Sequence, residues 1–118
     1  MANILADHRR GDTFKGISFL VRELQDDNVT KTPVDLTDVV ILAQFKTSVG
    51  APVASFEFKT SDDTITVPNP LSGEFFFMRR AIKVLPALYV YDIQLTFSDE
   101  TVETIVTDKW LIYEDISR

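Results

Sequence analysis

The stretch LYVYDIQLTF, residues 88–97, decides the fold. Tyr89, Tyr91, Ile93, Leu95 and Phe97 alternate with Val90, Asp92, Gln94 and Thr96. Such alternation marks a strand with one buried face, because successive side chains point to opposite sides of a sheet. A strand that alternates for so long belongs in the centre of its sheet. Its register is tightly specified, since a one-residue slip would turn all five large side chains outward. Asp92 and Gln94 are expected on the other face.

The same period of two recurs on both sides of this stretch. Residues 14–23 place Ile17, Phe19 and Val21 on one face. Residues 39–47 set Val39, Ile41, Ala43 and Phe45 against Gln44 and Lys46. Residues 53–59 alternate Ala54, Phe56 and Phe58 with Ser55, Glu57 and Lys59. Shorter strands are predicted over 64–67 and 74–79. A last strand runs over 102–107 and continues over 109–116, with Asp108 interrupting it at a bulge. Turn residues punctuate the series: QDDNVTKTPVDLT (25–37) as a loop, GAP (50–52), PNPLSG (68–73) and SDET (98–101). Only AIKVLPA (81–87) suits a helical turn, which Pro86 would end. Seven or eight short, mostly antiparallel strands predict an all-β sandwich, with a small closed barrel as the alternative.

The 118 residues read as one domain spanning 1–118, with residues 1–11 as an extended N-terminal segment, and as a small complete protein. A chain of this size buries roughly two-thirds of the surface it exposes when unfolded, so it needs no staple. It has no cysteine, which excludes disulfides, thiol catalysis and zinc–thiolate sites. A net charge of −6 repels phosphate backbones and argues against nucleic acid as a partner. No apolar run approaches the roughly 20 residues of a spanning helix, so no membrane partner is expected.

No motif for catalysis is present, and no catalytic, cofactor-binding or metal-ligating residue is assigned. The single histidine, His8, stands in a polar segment and is expected to be solvent-exposed and unpartnered. Asp26–Asp27, Asp62–Asp63 and Asp99–Glu100 fall at predicted turns, where aspartate bonds the local backbone. A calcium loop would need more oxygen ligands at alternating spacing. Arg10, Gly11 and Asp12 spell RGD but lead directly into a strand, so Gly11 reads as a turn residue and not as part of an adhesion motif.

Three stretches depart from one-sided alternation. FFFM (75–78), VVIL (39–42) and WLIY (110–113) are apolar on both faces. A two-layer sandwich buries one face of each sheet, so the second row needs a cover. Either a loop or the N-terminal segment packs over it, or a partner does. Phe76, Met78, Trp110 and Tyr113 are the candidate interface residues, with Phe76 expected on the partner side. Self-association into a homo-oligomer is one common solution.

Read end to end, the chain resembles a group of small phage virion proteins, the Ig-like β-sandwich modules of tails and baseplates, including the N-terminal domains of baseplate upper proteins. The resemblance rests on RRGDTF (9–14), PVDLTDVVILAQFK (33–46), SGEFFF (72–77), LPALYVYDIQLTF (85–97) and TDKWLIYEDIS (107–117). Two residues depart from the family's pattern: Leu88 and Asp108 stand where glycines are usual. The resemblance implies an Ig-like sandwich without enzymatic activity or cofactor, a structural role in a virion assembled in the host cytoplasm, and other virion proteins as partners. The LPA turn before Tyr89 is also similar to the tyrosine corner of Ig-type sandwiches, in which the hydroxyl bonds the backbone near Leu85; a plain core tyrosine is the alternative. From another functional class, a receptor- or glycan-binding module would use Trp110, Tyr113, Asp92 and Gln94 if the fold clustered them.

Overall fold

A computed structural model describes residues 4–24 and 26–114. The described residues form twelve strand segments and two short 3-10 turns. The protein is all-β and sandwich-like. One layer is a five-stranded sheet. It contains β1 (His8–Arg9), β6 (Val40–Lys46), β7 (Phe56–Lys59), β11 (Ala87–Thr96) and β12 (Val102–Tyr113), in the order β1-β12-β11-β6-β7. The facing layer holds β3 (Ile17–Leu20), β8 (Ile65–Thr66) and β9 (Glu74–Phe77), in the order β3-β9-β8, and the short pair of β2 (Thr13–Phe14) with β10 (Arg80–Ala81). A separate ribbon pairs β4 (Arg22–Leu24) with β5 (Lys31–Pro33).

β11 lies between β6 and β12, antiparallel to both. Its even-spaced large residues, Tyr89, Tyr91, Ile93 and Leu95, are buried, and Phe97 is partly buried just beyond the strand. Ile93 and Leu95 register with Ala43 and Ile41 of β6, which are fully buried too. The inner rows of the two layers meet through aromatic rings. Phe58 of β7 stacks on Phe77 of β9 at 4.5 Å with 7° between the planes. Phe14 of β2 packs edge-on against Phe58 and Trp110. No polar or charged residue is buried among the described residues, so hydrophobic burial is the dominant stabilising term of this core.

Four local expectations need correction. The first strand is three segments, β2, β3 and β4. Gly16 separates the first two at φ +95°, and a Cβ there would sit 2.8 Å from the Phe77 carbonyl oxygen. The loop predicted over 25–37 contains β5. Residues 81–87 form no helical turn: Ile82 is buried and Val84 partly buried, so alternation continues through bends to β11. β12 runs unbroken through Asp108, and the bulge lies at Ile105, where the register shifts between Ile93 and Gln94. The segments outnumber the seven or eight strands expected, mainly because of these breaks and the two-residue pieces. Residues 115 and 116, the predicted end of the last strand, lie outside the described residues.

One addition to the sheet explains Asp108. The N-terminal segment returns along β12, and β1 pairs with it in parallel. Leu5 is buried, the Ile4 amide donates to Asp108 Oδ2 at 2.7 Å, and Trp110 Nε1 donates to the Ala6 carbonyl at 2.7 Å. The Tyr91 hydroxyl also reaches Asp108 Oδ2, at 3.4 Å. Burial, and then the Asp108 carboxylate, holds the Tyr91 phenol well above its ordinary range. Asp108 therefore anchors the N-terminal segment at a position where glycine would supply no acceptor.

Candidate docking surface

Alternation that buries one row leaves the other row outside. In β9, Phe75 and Phe77 fill the core, which turns Glu74 and Phe76 outward. Gly73 leads into this strand. It closes the 3-10 turn Pro70–Ser72 in the left-handed region at φ +71° and donates to the Pro70 carbonyl. A Cβ on Gly73 would collide with the Val21 carbonyl and crowd Val34, so the residue admits no side chain without a shift.

Phe76 is the central outward residue of the three-stranded sheet. Its registered neighbours are Ser18 on β3 and Thr66 on β8. Both are small, so they cover little of the ring, and Phe76 stays half-buried. Met78 follows on the same side, 39 % exposed, with the Thr66 hydroxyl 3.1 Å from its sulfur. Leu20 is exposed on this face as well. A shallow groove runs along one end of the sheet, lined by Lys15, Gly16, Ser18, Phe76, Met78 and Arg79. Lys15 and Arg79 are exposed and form no ion pair among the described residues. The groove thus has an apolar floor and a positive rim on a chain of net charge −6.

Two of the four candidate interface residues, Phe76 and Met78, share this face. Trp110 does not belong to any surface. It is 0 % exposed, in contact with Phe14, Phe45 and Phe56 and hydrogen-bonded to Ala6. Its parity with Ile112 turns it inward, and the N-terminal segment closes over it. Tyr113 is 41 % exposed on the opposite layer, with the Arg9 guanidinium 5.9 Å over its ring. Of WLIY, Trp110 and Ile112 are core, with the N-terminal segment against Trp110, while the outward Tyr113 stays exposed beneath Arg9. Over Phe76 no described segment lies.

The residues that a sugar site would need are not brought together. Asp92 and Gln94 face outward from β11, where a hollow is lined by Gln44, Lys46, Val49, Val90, Asp92 and Thr107. Trp110 is inside. Tyr113 is nine residues along β12 from Thr104, the register partner of Gln94, which is about 30 Å of extended chain. The hollow's border is polar. Gln44 Nε2 donates to Glu57 Oε2 at 2.8 Å, and Lys59 Nζ lies 3.2 Å from Glu57 Oε1. The Gln44 amide, with Lys59 adding to it, holds the Glu57 carboxyl below its ordinary range.

His8 is partnered, contrary to expectation. Its ring lies 5.5 Å from Trp110 and 6.3 Å from Phe14, and Nε2 is 2.9 Å from the Asp12 carbonyl oxygen. The partner that matters is 102 positions away in the chain, beyond local pattern reading. The three aspartate clusters are turns. Asp27 accepts from the Val29 and Thr30 amides and the Thr30 hydroxyl, Asp62 from the Thr64 amide and hydroxyl, and Asp99 from the Thr101 amide. These bonds, the threonine ones foremost, lower all three carboxyl pKa values. Asp35 and Thr37 repeat the device. Among the described residues no group of three or more His, Asp and Glu is placed to hold a metal ion. The RGD tripeptide is tied to the sheet: Gly11, at φ +91°, donates to the Ile82 carbonyl, and Arg10 Nε to the Val84 carbonyl.

The Tyr89 hydroxyl donates to the Leu85 carbonyl at 2.5 Å. This is the tyrosine-corner geometry. It pins the chain at the start of β11, and burial raises the phenol's pKa. No known family model matches the chain, and no curated protein matches it either.

Proposed function

We propose that this protein is a non-enzymatic structural component of a phage virion, in its tail, baseplate or adsorption apparatus, and that it works by protein–protein docking. The observation that carries the docking part is the outward placement of Phe76 and Met78 in a groove rimmed by Lys15 and Arg79. Apolar floor and charged rim is the usual anatomy of a protein interface. The virion part rests on the resemblance of five stretches, among them SGEFFF and LPALYVYDIQLTF, to tail and baseplate modules. A rigid sandwich with an all-apolar core suits a part that presents a surface and does not move.

The test is Phe76→Lys in a phage that encodes the chain. The expected result is a protein with unchanged circular dichroism and thermal midpoint that is missing from purified particles by mass spectrometry. Particles that lack the wild-type chain as well would refute the virion reading. Unfolding of the variant would refute the surface role of Phe76.

A further inference from the structure

The β4–β5 ribbon stands apart from both sheet layers. All six of its strand residues are exposed, and the turn residues 26–30 are exposed too. A lone two-stranded ribbon is marginal in water. This one is held at its base, where the Val21 amide donates to the Gly73 carbonyl and the Val34 amide to the Val21 carbonyl. At its tip Asp27 ties the Val29 and Thr30 amides and the Thr30 hydroxyl, which fixes the turn. A pre-ordered tip loses less freedom when it binds. What the tip presents is Val29, 80 % exposed, beside the Asp26 and Asp27 carboxylates, with Leu24 exposed one step below.

The tip and the groove are complements. At its end the ribbon offers Val29 with two acids, ahead of Lys31, which pairs with Leu24; the groove offers Phe76 and Met78 with Lys15 and Arg79. A molecule cannot readily satisfy itself. β3 starts at Ile17, beside the groove, and runs to Leu20, so the chain leaves the groove end before the ribbon begins. Resting on the docking reading of the Phe76 face, we infer that the ribbon tip of one copy seats in the Lys15–Phe76–Met78–Arg79 groove of a second copy. The contact is heterologous, head to tail, and it propagates into a ring or a row instead of stopping at a two-fold dimer. Opposite charges at the rim select this partner and make assembly salt-sensitive.

Two variants of the full chain test this by sedimentation velocity. One has a disabled groove (Lys15→Glu with Arg79→Glu) and keeps its tip. The other has a disabled tip (Asp26→Lys with Val29→Lys) and keeps its groove. All four positions are exposed, and unchanged circular dichroism checks the folds. Wild type is expected to associate with rising concentration, and to need roughly tenfold more protein at high salt. Each variant alone is expected to stay monomeric. Their mixture is expected to give a one-to-one dimer that grows no further, because each pair has one working tip and one working groove. A mixture that stays monomeric, or a tip-disabled variant that still associates alone, would overturn the inference. A monomeric wild type would overturn it as well, while the particle test of Phe76→Lys, which needs no second copy, would still stand.

Discussion

β11 and the β4–β5 ribbon are both antiparallel strands, yet they differ in every consequence. In β11 each large side chain of one row is buried against β6, β12 or the facing layer. In the ribbon both rows face water. Backbone pairing is common to the two. The difference is therefore side-chain burial, which contributes roughly 1.5–3 kcal/mol for each large apolar residue, against about 1 kcal/mol net for a hydrogen bond. The comparison separates what holds the fold from what the fold holds out.

The largest effect lies at the centre of β11. Leu95 is fully buried and registers with Ile41, also fully buried. Leu95→Ala is expected to cost about 2–5 kcal/mol, since the cavity adds to the lost transfer energy. The denaturant midpoint checks it. An unchanged midpoint would make β11 no more essential to the fold than the ribbon.

This contrast also explains what the sequence makes legible. The alternation from Tyr89 to Leu95 states both the strand and its buried face, because one-sided burial writes itself as a period of two. The ribbon, Arg22–Leu24 with Lys31–Pro33, buries no row and so writes nothing; its Asp-Asp-Asn turn is all that shows. Phe76 is legible as the odd residue of an apolar run. Trp110 is not, because its inward parity depends on a bulge at Ile105 and its cover on Ala6, 104 positions away. The apolar pair Ile82 and Val84 reads equally well as a helical turn or as alternation, and only the route from β10 to the corner at Tyr89 decides. His8 is hidden in the same way, its ring partner Trp110 lying 102 positions away.

The corner at Tyr89 gives an intermediate effect. Its ring is packed, and its hydroxyl makes one bond, to Leu85. Tyr89→Phe keeps the packing and removes the bond, leaving a carbonyl at a position water can partly reach. A loss of about 0.5–1.5 kcal/mol is expected by chemical denaturation. A loss as large as that of Leu95→Ala would mean that the corner, and not burial along β11, sets the strand's stability.

The smallest effect on stability is expected from removing the ribbon. The Val34 amide already donates to the Val21 carbonyl at 3.0 Å, the bond that closes a two-residue hairpin turn. Residues 22–33 can be replaced by Asn-Gly, whose positive φ values suit such a turn between twisted strands. The excision leaves the base intact, including the Val21–Gly73 and Val34–Val21 hydrogen bonds. It removes no buried residue among those described, and a shorter loop costs slightly less entropy to close. The denaturation free energy is expected to change by less than about 1 kcal/mol. The same excision is expected to abolish self-association in sedimentation, since it deletes Val29 and Asp26 while leaving the groove whole. A ribbon that contributed to the fold would lower the midpoint when cut, whereas one held out for a neighbour lowers only the assembly. Loss of several kcal/mol on excision would place the ribbon with β11 and erase the distinction between the two regions.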